Sequence, residues 1–430
     1  MRRIKTVLIL GLVMGMLFVN GQSLFAAKKN IELTYWTTMG QHPRFNEWME
    51  DLGKELTKTY PYVKGVKIIA VPYEGYEAKY LSVMEGKVGA PDMFNGMVYD
   101  WAGAHDFCAL MPDYLVKNIE EHTVPAVRKL GVWDGKMYGV PGSTATGSSF
   151  MMLYINTDML EEAGMDPNSY PETIDELLDF AKKLTKRDAS GKVVRAGYAI
   201  RYSGNPTGIT EKFLPFLHTF GGRMMSPDRK RASGYINSSE SVEALQFFAD
   251  LVNKYRVSSL EIGSPAASFG HKLAAMIFRE GWVVGWLRDN APNLHYKIYP
   301  LPTYREKVGV GALFTWTDLV YKYGSNKEES WKYLELVWKN SLGGCIIDEM
   351  APPPWKEDLN CSYMINRPDK EATTEMMSRA PSPNYGYIGA HLTEVASIMA
   401  DAIGDSLYLK KTPKTALDEA AVKIDALLME

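Results

Sequence analysis

The chain has 430 residues, 46% of them hydrophobic, with 48 basic and 51 acidic side chains and a net charge of −3. It is too long for one ordinary domain and apolar enough to build two cores. Three cysteines exclude a disulfide scaffold, and no basic cluster is large enough for nucleic acid, the densest run, Asp228-Arg229-Lys230-Arg231, reading as a turn.

Arg2, Arg3 and Lys5 precede an apolar run of 13 residues, Val7 to Val19, and small residues follow it. The run is too short to cross a bilayer and has secretory flanks. Residues 1–26 therefore read as a removable signal peptide, cut after Ser23 or after Ala26, with a retained anchor as the alternative. Removal takes three basic residues and no acidic ones, moving the net charge from −3 to −6. The first cysteine is Cys108, too far along to carry an N-terminal lipid. The remaining chain is expected to be exported and soluble.

Beyond the leader, residues 31–36 (IELTYW) alternate as a strand, and Phe45, Trp48, Met49, Leu52 and Leu56 fall on one face of a helix. Residues 66–71 predict a second strand, 74–85 a second helix, and 92–95 a short buried strand. This βαβαβ order argues for a mostly parallel sheet covered by helices on both faces. Trp133-Asp-Gly-Lys-Met-Tyr138 predicts a hairpin around its Asp-Gly centre. Thr173-Ile-Asp-Glu176 is a capping box opening a helix over 174–185. Thr412 and Pro413 open the last helix, whose apolar stripe is Leu417, Ala420, Ala421, Ile424, Leu427 and Leu428. Cys345 and Cys361 could pair, leaving Cys108 unpaired and buried.

The chain contains no phosphate loop, no Gly-x-Gly-x-x-Gly, no His-Glu-x-x-His and no Cys-x-x-Cys, and its seven histidines lack metal-ligand spacing. No cofactor or metal is expected, and no catalytic set is legible. The positive signal is aromatic: 12% of the chain, with 25 tyrosines and 10 tryptophans. Trp36, Trp101, Trp282 and Trp316 sit where strands end, the side of an open α/β sheet that takes ligands. A tryptophan ring offers an apolar face and a polar N–H, which suits a sugar ring; core packing is the competing role for each.

Seven segments, in order, resemble the family 1 extracytoplasmic solute-binding proteins, the sugar-binding receptors of ABC importers: IELTYW; GVKIIAVPYEGYEAKYLSVMEGKVGAPDMF; WDGKMYGVP; MLYINTDMLEEAGMDPNSYPETIDELLDFAKKLTK; KLAAMIFREGWVVGWL; IYPLP; and TPKTALDEAAVKID. The resemblance covers essentially the whole chain after the leader. It implies an α/β fold of two lobes, each a mostly parallel sheet flanked by helices, with a ligand cleft between them. The first lobe would comprise 27–142 and 304–340, the second 143–303 and 341–430, with crossings near 142–146, 302–304 and 340–343.

The resemblance also suggests site residues. Trp36 and Thr38 end the first strand. Asp100 accepts from sugar hydroxyls while Trp101 stacks, and Ser143 lies in the glycine- and hydroxyl-rich first crossing. In MIFREGWVVGWL, residues 276–278 form a strand, Arg279 to Gly281 its exit, Trp282 a platform and Trp286 a packing residue. Trp316 and Asp318 mark the return to the first lobe. Trp355 lies in a triple-proline loop that departs from the family pattern. Tyr385 and Tyr387 resemble a late aromatic platform, and Tyr76 lines the rim with Tyr73. The implied function is capture of a carbohydrate, an oligosaccharide in preference, by hinge closure, followed by delivery to the permease's transmembrane subunits. ATP belongs to a partner, and the protein acts as a monomer in the periplasm or another extracytoplasmic space. A receptor for a polyol phosphate or peptide, and an exported carbohydrate-active enzyme, are the other readings.

Overall fold

A computed structural model describes residues 30–38, 43–123, 125–141, 151–309, 316–348, 353–381 and 391–429. The leader read from residues 1–26 lies outside them. In chain order the sheet strands are β1 (Ile31–Thr37), β2 (Val63–Ala70), β3 (Met93–Gly96), β4 (Gly139–Val140), β5 (Met151–Asn156), β6 (Lys186–Arg187), β7 (Val193–Tyr198), β8 (Ala274–Glu280), β9 (Tyr296–Tyr299) and β10 (Thr317–Val320). They form two five-stranded sheets, ordered β2-β1-β3-β10-β4 and β9-β5-β8-β7-β6. The two-lobed α/β organisation read from the sequence is the one observed. The sheets are mixed where mostly parallel ones were expected: β1 runs parallel to β2 and β3, but β10, returning to the first sheet, is antiparallel to both β3 and β4, and β5 is antiparallel to β8 and β9.

Strand alternation divides the first lobe into two faces. On β1, Leu33 and Tyr35 join a core with Phe45 and Met49 of the helix Pro43–Thr59 and with Trp338 of the helix Lys327–Lys339. Trp36 points the other way, into a second cluster with Tyr76, Tyr80, Phe94 and Trp101 that continues into the second lobe. The same alternation separates Met93 from Phe94 on β3. The aromatic face toward the second lobe follows directly from the period of two.

Local signals are where the sequence puts them. The hairpin turns at Asp134 and Gly135, both with positive φ (46° and 71°). Thr173 and Glu176 make the reciprocal capping box of the helix Ile174–Leu184. Thr412 caps the helix Pro413–Leu427 through the Thr415 N–H, with Pro413 in its first turn. The helix Pro206–Thr219 is buried along nearly its whole length and packs on the helix Leu392–Leu407.

Contacts on either side of the two later crossings bear on where the lobes divide. The helix Ser341–Asp348 packs on the helix Pro43–Thr59 of the first lobe, and Lys356 N–H donates to the His122 carbonyl. The chain therefore stays with the first lobe well past residue 340. Residues 303–309 still hold to the second lobe: Arg305 and Glu306 N–H donate to the Thr219 carbonyl, and Val308 pairs with Ala380. Cys345 and Cys361 are not joined.

Candidate functional site

The site is built where the inner face of the first sheet meets the ends of β8 and the helix Pro206–Thr219. From the first lobe, Tyr73 and Tyr76 stack with centroids 5.8 Å apart. The Trp316 ring leans on both, at 6.2 Å and 5.1 Å. Tyr76 is 1% exposed, so Tyr73 and Trp316 form the accessible front of this aromatic layer.

From the second lobe comes a chain of buried charges. Lys212 Nζ lies 2.6 Å from a Glu211 carboxylate oxygen and also donates to Glu280. Arg279 Nε donates to the other Glu280 oxygen at 3.1 Å, and its guanidinium lies 4.9 Å from the Trp282 ring centroid. All four charged residues are nearly inaccessible, with exposures of 2–6%. Burial alone would raise the Glu280 carboxyl, but Lys212 and Arg279 outweigh it and hold it well below the ordinary carboxylate range. Glu211 moves the other way, raised by burial and by the nearby Glu280 despite its contact with Lys212. The Tyr73 hydroxyl is raised by burial and by the negative charges of Glu211 and Glu280, which act on it from the second lobe.

The lobes also touch at the mouth. The Asn205 side chain reaches the Glu77 carboxylate, and Arg44 pairs with Asp289 at 3.2 Å. Beside the Trp282 helix (Val283–Asn290), a cavity of about 370 Å³ opens between Val284, Ile346, Tyr363 and Arg367. It too is lined from both lobes, since Ile346 rides on the helix packed against the first.

The proposed site residues divide accordingly. Trp316 joins the aromatic layer of the first lobe, Trp282 rests on Arg279 at the end of β8, and Trp36 is buried beside Tyr80 with Lys79 Nζ 5.2 Å above its ring. Trp101 is fully buried between Tyr80 and Phe94, and a Cβ on Gly96 would lie 2.5 Å from its ring. It packs as core and supports the aromatic layer from behind. Asp318 is buried in β10 and accepts from the Tyr35 hydroxyl at 2.6 Å on the outer face of the sheet. Thr38 is buried and tied to Asn95 through its N–H and its hydroxyl. Trp355 lies between Trp338 and His122, 4.5 Å and 4.9 Å away, in the first lobe's outer core. The Asp100 side chain, Ser143, Tyr385 and Tyr387 lie outside the described residues.

The strand before Trp282 runs on to Glu280 because its ladder with Met151 and Met152 continues through Arg279. Trp286 packs over Gly270, where a Cβ would meet its ring at 3.0 Å. Sequence reasoning missed Glu211, Lys212 and Arg201 altogether. A Glu-Lys step inside a helix ordinarily faces solvent, and only the burial of the whole Pro206–Thr219 helix turns it inward.

Among the described residues no cluster of three or more His, Cys, Asp or Glu could hold a metal, and no helix is long and apolar enough to cross a membrane. Two sheets facing across an aromatic, charged cleft define a two-lobed binding protein. Residues 40–338 match the model of the bacterial extracellular solute-binding proteins, and the chain belongs to that family. It is 27% identical over 402 residues to the arabinooligosaccharide-binding protein of Halalkalibacterium halodurans, covering 90% of this chain and 82% of the relative. It is 25% identical over 328 residues to the sn-glycerol-3-phosphate-binding periplasmic protein of Escherichia coli K12, covering 72% of each. An ABC substrate-binding protein of Listeria monocytogenes, solved in complex with cycloalternan, superposes with a TM-score of 0.76 at 19% identity, over 92% of this chain and 98% of that one.

Proposed function

We propose that this protein is the ligand-capturing subunit of an ABC importer for a carbohydrate, an oligosaccharide in preference. The observation that supports this is an aromatic layer of Tyr73, Tyr76 and Trp316 on the first lobe, together with Trp282 resting on Arg279 at the end of β8 on the second. Aromatic faces suit the apolar faces of sugar rings, and the charged groups between them suit hydroxyls. The arabinooligosaccharide-binding relative supports the same class. A ligand touching both walls binds the closed arrangement more strongly than the open one, and that difference drives closure.

In this reading the ligand leaves intact. Glu211 and Glu280 both contact Lys212, an arrangement that holds charge in place. The leader is removed on export, and the closed protein, as a monomer, presents its ligand to the membrane subunits of the permease. Trp282, Trp316, Tyr73 and Trp36 are the proposed ring contacts, joined by Asp100, Ser143, Tyr385 and Tyr387 from the stretches beyond the described residues. A polyol phosphate is the second reading, supported by the sn-glycerol-3-phosphate-binding relative.

The test is thermal unfolding against a panel of mono- and oligosaccharides with product analysis of each hit. A ligand that binds only the native state raises the midpoint by mass action. A sugar that raises it and is recovered whole supports the receptor; a cleaved sugar replaces it with a hydrolase.

A further inference from the structure

We infer that the ligand carries an acid group, and that Arg201 receives its carboxylate. This rests on the carbohydrate reading and adds a charge to it.

Three cations reach the second lobe's side of the cleft. Lys212 and Arg279 are already matched by Glu211 and Glu280. Arg201, just before the helix Pro206–Thr219, is different: its Nε is buried and has no hydrogen-bond acceptor among the described residues. It lies within electrostatic reach of Tyr73 across the cleft and of Glu211, whose carboxylate Lys212 occupies.

The guanidinium is also held in a slot. A Cβ on Gly208 would fall 2.4 Å from its Cζ, and one on Gly204 would fall 3.4 Å from a terminal nitrogen. Glycine at 208 is what lets the guanidinium lie against the first turn of the helix. A guanidinium held in place, with its buried Nε–H left without an acceptor among the described residues, implies an acceptor supplied from outside.

A neutral hydroxyl would satisfy one N–H but leave the charge unmatched as the closing lobes exclude water. A carboxylate offers two oxygens in the plane of the guanidinium fork. With Tyr73 within its electrostatic reach and Trp316 against Tyr73 to take the ring, the pairing describes a uronic acid unit within a saccharide. The rival on the page is Glu74 of the first lobe, an exposed carboxylate whose Oε1 lies 3.9 Å from the Cβ position of Gly204. Arg201 would then serve closure alone.

Calorimetric titration of the exported chain separates these. The probes are a neutral oligosaccharide, its uronate-containing counterpart and sn-glycerol 3-phosphate, against wild type, Arg201→Gln, Arg201→Lys and Glu74→Gln. The uronate-containing ligand should bind about ten- to a hundredfold more tightly than the neutral one. Arg201→Gln should erase that advantage, Arg201→Lys should keep part of it, and added salt should reduce it. Equal affinity for neutral and acidic saccharides in wild type overturns the inference and leaves the carbohydrate reading standing. Equal losses for both in Arg201→Gln, copied by Glu74→Gln, would assign Arg201 to closure. Binding of sn-glycerol 3-phosphate with neither saccharide would overturn the ligand class and the carbohydrate reading together.

Discussion

Trp101 and Trp282 are the same residue type at the same kind of position, just past a strand, yet they have opposite surroundings. Trp101 is enclosed by Tyr80, Phe94 and His105, whereas Trp282 rests on Arg279 with part of its surface open. Trp101→Ala should cost about 3–5 kcal/mol of stability, the range for emptying an aromatic core site, read as a lower denaturation midpoint. Trp282→Ala should leave the unliganded midpoint nearly unchanged and weaken ligand binding about tenfold or more in calorimetry. Two buried carboxylates give opposite pH slopes. Asp318 is raised from 3.8 to about 6, chiefly by burial. The folded chain holds its proton where the unfolded chain has lost it, so stability falls as pH rises from about 4 to about 6, then levels. Asp318→Asn should remove that fall in denaturation curves taken across the window. Glu280, held low by Lys212 and Arg279 against burial, stabilises above its unfolded value of 4.5 and loses that contribution as pH drops below it. Lys212→Met, which takes the ion-pair partner from buried Glu211 and leaves Glu280 to Arg279 alone, should cost about 3–5 kcal/mol at neutral pH.

At the scale of elements, periodicity and capping chemistry carried most of the fold. β1 and the helix Pro43–Thr59 follow from alternation and a 3.6-residue stripe, and the hairpin at Asp134-Gly135 from its turn residues. Contacts distant in sequence were not legible. Nothing near Gly197 shows that a Cβ there would sit 1.9 Å from the Ala181 carbonyl oxygen, where β7 meets the helix Ile174–Leu184. Gly197→Ala should therefore abolish cooperative folding of the second lobe or lower its midpoint sharply. Thr173→Ala, which removes only the cap of that helix, should cost about 1 kcal/mol. The same blindness hid Glu211 and Lys212: a helix that looks amphipathic by composition is buried all round because the helix Leu392–Leu407 covers its outer side. Trp355 and Asp318 lie on the outer side of the first sheet for the mirror reason, since a tryptophan after prolines or an aspartate at a strand says nothing of which face it takes.

Across the whole molecule, the two-lobed α/β organisation and the family were readable, because seven short patterns recur in one sequence order. Which residues face the cleft depended on how the lobes meet, through Tyr73 over Glu211, Asn205 at Glu77, and Arg44 at Asp289. Those contacts pair segments more than a hundred residues apart and leave no local mark. The central claim is that a carbohydrate bridges Trp316 and Trp282 and leaves unchanged. The most direct test is calorimetric titration of wild type and of the Trp282→Ala and Trp316→Ala variants with the saccharide giving the largest thermal shift, with the ligand recovered and analysed afterwards. The account predicts one site, weaker binding when either ring is removed, and intact ligand. Undiminished affinity in both variants, or a ligand recovered cleaved, would contradict it.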